Sequence, residues 1–255
     1  MRIPLSICFC VVAGVVSAID LPVSTNHMRR TISPEARSNM LAKTGGMIVQ
    51  EGKGPSILFL NLQSDVKEDA VRETSELIGK LVRFKTQYQS AKPLKSPVEQ
   101  LASKVGGDIA AVVAVIEDPE LPALLIAPES RWALVNVAPL RKGAGTEQIQ
   151  MRVQKEIWRA FAMVMGASNS NFETCLLKPV FDLSDLDALK PKTICPEPFN
   201  KIFQTGQKLG IHPSRMTTYR RAVQEGWAPA PTNDFQKAVW NEVKSGATLK
   251  PAVKK

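Results

Sequence analysis

Residues 109–116, IAAVVAVI, are eight consecutive apolar residues, and no other stretch constrains the fold of this chain as strongly. A short run of this kind, rich in β-branched side chains, suits a buried strand. Residues 56–62 (SILFLNL) form a similar run, flanked by Gly54-Pro55 and Ser64-Asp65. A helix is expected to follow the Asp65 start signal, because Val71, Leu77, Ile78, Leu81 and Val82 fall on one helical stripe. Residues 84–89 read as another strand and 98–105 as a short helix stopped by Gly106-Gly107. Residues 123–126 and 132–137 add two strands joined by a turn at Pro128-Glu129-Ser130. Strands and helices in this order imply an α/β (α+β) fold, a mixed sheet packed with helices.

A long helix is expected over residues 147–165, where Ile149, Val153, Ile157, Phe161 and Met165 recur every fourth residue, reinforced by Trp158 and Ala162. Gly166 is its natural stop. Beyond it, turns at Pro179, Pro191 and Pro196 alternate with short helices expected at 199–209, 213–225 and 234–243, a loop-rich helical C-terminal part.

The first residues read as an export signal. Arg2 supplies the positive start, residues 5–16 are almost unbroken apolar, and Val16-Ser17-Ala18 has the small-residue pattern of a cleavage site. A lipid anchor at Cys10 is the competing reading, but Cys10 lies inside the apolar region. No later stretch approaches the ~20 apolar residues of a spanning helix. The expected organisation is a signal peptide at 1–18, a polar linker at 19–48, an α/β domain at 49–203, a helical extension at 204–250 packed on it, and a basic tail at 251–255. Export implies a periplasmic or extracellular location. Cleavage would leave 32 basic against 24 acidic residues, a balance that suits a solvated basic surface.

Counting excludes much metal chemistry. The chain has two histidines, His27 and His212, and four cysteines, Cys8, Cys10, Cys175 and Cys195. No site of three imidazoles or of four thiolates outside the signal can be built. In an oxidising compartment the two cysteines that remain after cleavage are expected to pair as a Cys175–Cys195 disulfide.

Mixed strands, one long helix, then an irregular Cys-containing segment is a layout that resembles the metzincin zinc proteases, and within them the archaemetzincin family. That family's pattern is HExxHxxGxxHC, then four residues, CxM, seventeen residues and CxxC. With Gly166 as the motif glycine the spacing fits throughout residues 147–198. The first zinc-ligand His falls on Arg159, the general-base Glu on Ala160, the second His on Met163 and the third on Asn169. The first structural Cys falls on Ser170, the second on Cys175, the family Met on Leu177, the third Cys on Cys195 and the fourth on Pro198. Zinc hydrolysis needs three protein ligands, an open position for water and a carboxylate to take its proton. The resemblance therefore implies an erased zinc centre, no cofactor, and a disulfide where a second, thiolate zinc site stood. It implies a binding or structural protein whose former cleft holds a peptide or an envelope protein.

Two other functions compete with that reading. A hydrolase of different mechanism could reuse the cleft, through a serine triad using His212 or His27 or through Glu156 and Glu173 as an acid/base pair; no nucleophile motif supports the first, and exposed helix acids are the expectation for the second. A polyanion or nucleic-acid binder could use Arg215, Arg220 and Arg221 in a helix-turn-helix over residues 203–223, against which an export signal argues. Asp182, Asp185 and Asp187 lack the glycine and terminal Glu of a calcium loop and read as a helix start. Met163 and Met165 read as core filler. Trp227 and Trp240, near Pro229 and Pro231, are expected to bury their indoles against the body.

Overall fold

The apolar run becomes β4 (Ile109–Ile116), the middle strand of a five-stranded sheet in the computed structural model, which describes residues 32–62, 68–92 and 97–246. Its neighbours are β2 (Ser56–Asn61) and β6 (Trp132–Asn136), with β3 (Thr86–Ser90) and β5 (Leu124–Ala127) at the edges, in the order β3-β2-β4-β6-β5. Four strands are parallel; only β5 runs antiparallel, pairing Leu125 with Leu134. The mixed sheet expected from sequence is present. Parallel strands need covered faces, and both are covered here. Ile57, Phe59, Val113, Val115 and Val135 point to one side, against Val71 and Ile78 of α2 (Glu68–Val82) and Val153, Ile157 and Phe161 of α5 (Thr146–Val164). Leu58, Leu60, Val112, Ala114 and Leu134 point to the other, against Leu101 of α3 (Pro97–Lys104).

This sheet unit runs from Val49 to Met216. It also holds α4 (Val137–Leu140), α6 (Leu183–Ala188) and α7 (Pro196–Lys208). The boundary expected at 203 falls inside α7, and Ile211, after that helix, is buried in the same core. The second unit joins the described residues 32–48 to residues 217–246. Residues 34–44, expected within a linker, form α1 (Pro34–Thr44). Its start carries the usual signals, a Ser33 side chain accepting from Ala36 N and Pro34 at the first turn. Gly45 ends it at φ +69°, where an added Cβ would meet the Tyr219 side chain at 3.0 Å. The helix buries none of its residues, so it has no apolar stripe to announce it.

Residues 213–225 do not form one helix. Arg215–Thr218 is a strand, β7, and only Tyr219–Gln224 is helical, as α8. Pro213 and the β-branched Thr217-Thr218 favour extended backbone, and the Thr218 hydroxyl accepts from Arg221 N to start the helix there. β7 pairs with β1 (Met47–Gln50) as a two-stranded sheet. A helix-turn-helix over 203–223 is thereby interrupted. In the second unit, α1, α8 and α9 (Asp234–Lys244) enclose Tyr219, Val223 and Val239. Trp240 and Trp227 are half-buried rather than enclosed, Trp240 lying 6.5 Å from the Tyr219 ring and the Trp227 indole donating to Glu225 at 2.7 Å.

The expected signal at 1–18, Cys8, Cys10, His27, the Asp65 helix start and the tail at 251–255 lie outside the described residues. No helix among the described residues is long and apolar enough to cross a membrane.

Candidate functional site

Helix α5 carries the positions at issue. Its apolar stripe packs on the sheet, and a second stripe carries Arg152, Lys155 and Arg159, which the helical period places on one side. All three are buried, at 4%, 4% and 5% exposure, where charged helix residues ordinarily face water. Each cation holds a pair of backbone carbonyls from the segments that cross the helix. The Arg152 guanidinium donates to Leu140 O at 2.8 Å and Lys142 O at 2.9 Å. Lys155 Nζ donates to Leu186 O and Asp187 O, both at 2.9 Å. Arg159 donates to Leu176 O and Lys178 O, both at 2.8 Å. Carbonyls 140 and 186–187 lie at the ends of α4 and α6, where helices leave acceptors unpaired and favour a cation.

Asp187 joins this row. Its carboxylate accepts two bonds from Arg152, at 2.8 and 2.7 Å, and one from Gln148 at 2.7 Å. The Arg152 hydrogen bond holds the Asp187 carboxyl below its usual range and raises the Arg152 value in return. Burial lowers the Lys155 value. Glu156, expected among exposed helix acids, is 3% exposed and sits 3.3 Å from Arg159 Nε. Burial pushes its carboxyl up to about 7 against the pull of Arg159. Glu173 is exposed, and nothing pairs it with Glu156.

Three of the four positions that the archaemetzincin pattern assigns to zinc and its base are taken up in packing or hydrogen bonding. Arg159 is a buried clamp on the loop carbonyls of residues 176 and 178. Ala160 is fully buried in the sheet core, and Met163 packs half-buried against it. Asn169 is exposed. A guanidinium, a methyl, a thioether and a carboxamide do not fit zinc, which takes imidazole, thiolate or carboxylate. No group of three His, Cys, Asp or Glu able to hold a metal occurs among the described residues. His212 is exposed and bound to Lys53 only through its backbone, at 2.8 and 3.0 Å. Asp182 acts as the start of α6, accepting from Ser184 N and Asp185 N at 2.8 and 2.9 Å.

The second set of positions does converge. Gly166 closes α5 at φ +81°, and the Ala167 N–H returns to Ala162 O at 3.0 Å, the pattern of a left-handed helix cap. The chain then reaches Ser170, whose hydroxyl lies 3.3 Å from Cys195 Sγ. Cys175 and Cys195 are joined as a disulfide, their Cα atoms 5.6 Å apart. Pro198 is buried in the first turn of α7, for which Cys195 is the cap. Ser170, Cys175 and Cys195 thus meet in space, although the sequence separates them by up to 25 residues. The Leu176 N–H bond to Thr193 O at 2.7 Å ties the same loop.

Of the cations considered for a polyanion surface, Arg220 is bound through both terminal nitrogens to Glu242 at 2.9 and 2.6 Å, and Arg221 to Glu225 at 2.9 Å. Arg215 donates to Gln50. The buried cation row of α5 was not anticipated from sequence. Its only trace there is the spacing of Arg152, Lys155 and Arg159 on one side of an otherwise apolar helix.

No protein-family model matches the chain, and no curated protein does. Among solved structures, an archaemetzincin from Methanopyrus kandleri aligns at 17% identity and a TM-score of 0.49, over 60% of this chain and 96% of that one. A zinc-dependent peptidase from Methanocorpusculum labreanum aligns at 16% identity and a TM-score of 0.46, over 57% and 99%. An archaemetzincin from Archaeoglobus fulgidus, complexed with malonate, aligns at 17% identity and a TM-score of 0.43, over 57% and 99%. Likeness at this level transfers no activity, metal or substrate to this chain.

Proposed function

We propose that this chain is an exported, archaemetzincin-like protein that has lost peptidase chemistry and acts by binding, with a peptide or an envelope protein as its partner. The observation that carries the reading is Arg159. It stands where the family's pattern sets a zinc-binding His, and its guanidinium is spent on Leu176 O, Lys178 O and Glu156. A positive charge in that place repels a cation, and Ala160 beside it cannot take a proton from water. The Cys175–Cys195 disulfide fits an oxidising compartment, as the apolar start of the chain does. A relative with a structural role would keep its scaffold while losing its ligands.

The test is elemental metal analysis of the chain purified from an oxidising compartment without chelators, followed by incubation with unfolded casein and added zinc. The expected result is substoichiometric zinc and no chelator-sensitive cleavage. One tightly held zinc per chain, or zinc-dependent hydrolysis, would overturn the reading. Amino-terminal sequencing of the exported product should begin at Ile19; a product retaining Met1 would remove the export part.

A further inference from the structure

Strand β3 is one edge of the five-stranded sheet, with β2 on its inner side and no strand on its outer side among the described residues. Two bonds at its ends fix which residues face outward. The Ile57 N–H donates to Lys85 O, and the Ala91 N–H to Asn61 O, both at 3.0 Å. In a parallel ladder alternate residues turn both backbone groups to the same neighbour. Lys85, Gln87, Gln89 and Ala91 therefore face β2, while Thr86, Tyr88 and Ser90 turn their N–H and C=O groups outward. No backbone hydrogen bond among the described residues takes those outward groups.

An open edge is a template for another strand, and proteins blunt it with proline, lysine or a bulge. Thr86–Ser90 has no proline and no charge, and its register against β2 is unbroken. The opposite edge strand, β5, lies between Pro122 and Pro128. The sequence of β3, Thr-Gln-Tyr-Gln-Ser, also reads almost alike in both directions. Turned antiparallel about a two-fold axis at Tyr88, a second β3 sets Tyr88 on the partner's Tyr88, Thr86 on the partner's Ser90 and Gln87 on the partner's Gln89. In this register every outward group finds a partner: Tyr88 exchanges both bonds with its counterpart, and Thr86 exchanges both with Ser90. Lys85 comes opposite the partner's Ala91, so no like charges meet. A slip by one residue would set groups already bonded to β2 against the free ones.

We propose that the outer edge of β3 is an interface for a second copy of this chain, joining the two sheets into one continuous sheet across a two-fold axis. The inference is independent of the proposed loss of peptidase chemistry. A short edge strand on each side makes a small interface, so the dimer is a reversible one with a Kd of about 100 μM.

The experiment is sedimentation of the full chain from about 5 μM to about 1 mM, with residue-resolved amide exchange at both ends of that range. The mass should pass from one chain to two. Protection should rise with concentration at Thr86, Tyr88 and Ser90, and stay constant at Gln87, Gln89 and Ala91. Ser90→Pro removes an outward N–H at an exposed residue and should weaken the dimer about tenfold or more. A pair of charge variants decides the matter if that one does not fold. Gln87→Lys with Gln89→Lys sets like charges opposite each other at both ends of the interface, and Gln87→Lys with Gln89→Glu sets opposite charges there. Both lose the Gln87 bond to Ser56 Oγ alike, so the second should dimerise about tenfold more tightly than the first at low salt. A single-chain mass up to the highest concentration would overturn the proposal and leave the edge to a strand of another protein. Protection rising equally at all six amides, or equal affinity in the two charge variants, would overturn it too, because the copies would then meet on another surface.

Discussion

Arg159→Met keeps the stem of the side chain and removes the guanidinium from Leu176 O, Lys178 O and Glu156. A buried carbonyl, a partly buried one and a buried carboxyl lose their partner together, so denaturant unfolding should report a loss of about 3–5 kcal/mol. A surface arginine would lose well under 1 kcal/mol on the same change, and a loss that small would mean the clamp is not formed. Glu156 sets a second expectation, through pH. Its folded value, raised to about 7 by burial, lies above the ordinary unfolded value of about 4.3. The folded chain therefore binds this proton more tightly, and the stabilisation is full below that unfolded value and lost as pH rises through about 7. Between pH 5 and pH 8 the native protein should lose on the order of 2–3 kcal/mol more than Glu156→Gln does. Parallel stability curves for the two proteins would rule out the buried carboxyl as the cause.

Helix α5 depends on how it ends. At φ +81°, Gly166 holds a backbone region costly to other residues, and a Cβ there would meet Thr205 Oγ1 at 2.7 Å. Gly166→Ala should destabilise by at least about 1–2 kcal/mol, whereas the same change in an open helix would stabilise by up to about 1 kcal/mol; thermal melts distinguish the two by sign. The loop that follows is held by the disulfide, whose 20-residue separation is worth about 3 kcal/mol in the chain-entropy model. Reductant should lower the melting temperature by roughly 6–12 °C for a unit of this size, and an unchanged melt would mean that the loop is ordered without it. Elements such as β2, β4 and α5 were legible because their own residues carry the apolar signal that buries them. The convergence of Ser170, Cys175 and Cys195 was legible only as spacing. The cation row was not legible, because what buries Arg152, Lys155 and Arg159 is backbone carbonyl from residues 140–142, 176–178 and 186–187, and carbonyls leave no pattern in side chains. β7 escaped for a related reason, since its partner β1 lies far back in the chain.

At the scale of the molecule, the two units differ in how their cores are encoded. The sheet unit draws on one continuous segment, Val49–Met216. The other draws on both flanks of that segment, and its buried apolar side chains among the described residues, Tyr219, Ala222, Val223 and Val239, all come from the C-terminal side. Helix α1 contributes no buried residue, yet it lies against α9 and α8 within this unit, with Arg220 donating to Lys43 O at 2.5 Å. Eleven residues with no apolar stripe do not sustain a helix alone in water. A chain ending at Met216 should therefore lose hydrogen-exchange protection over residues 34–44, while β4 and β6, whose partners all lie within 49–216, keep theirs. Protection persisting in 34–44 would mean that α1 is held by something other than α8 and α9. Loss of protection throughout β4 would mean that the sheet unit, for all its continuity in sequence, does not fold without residues 217–246.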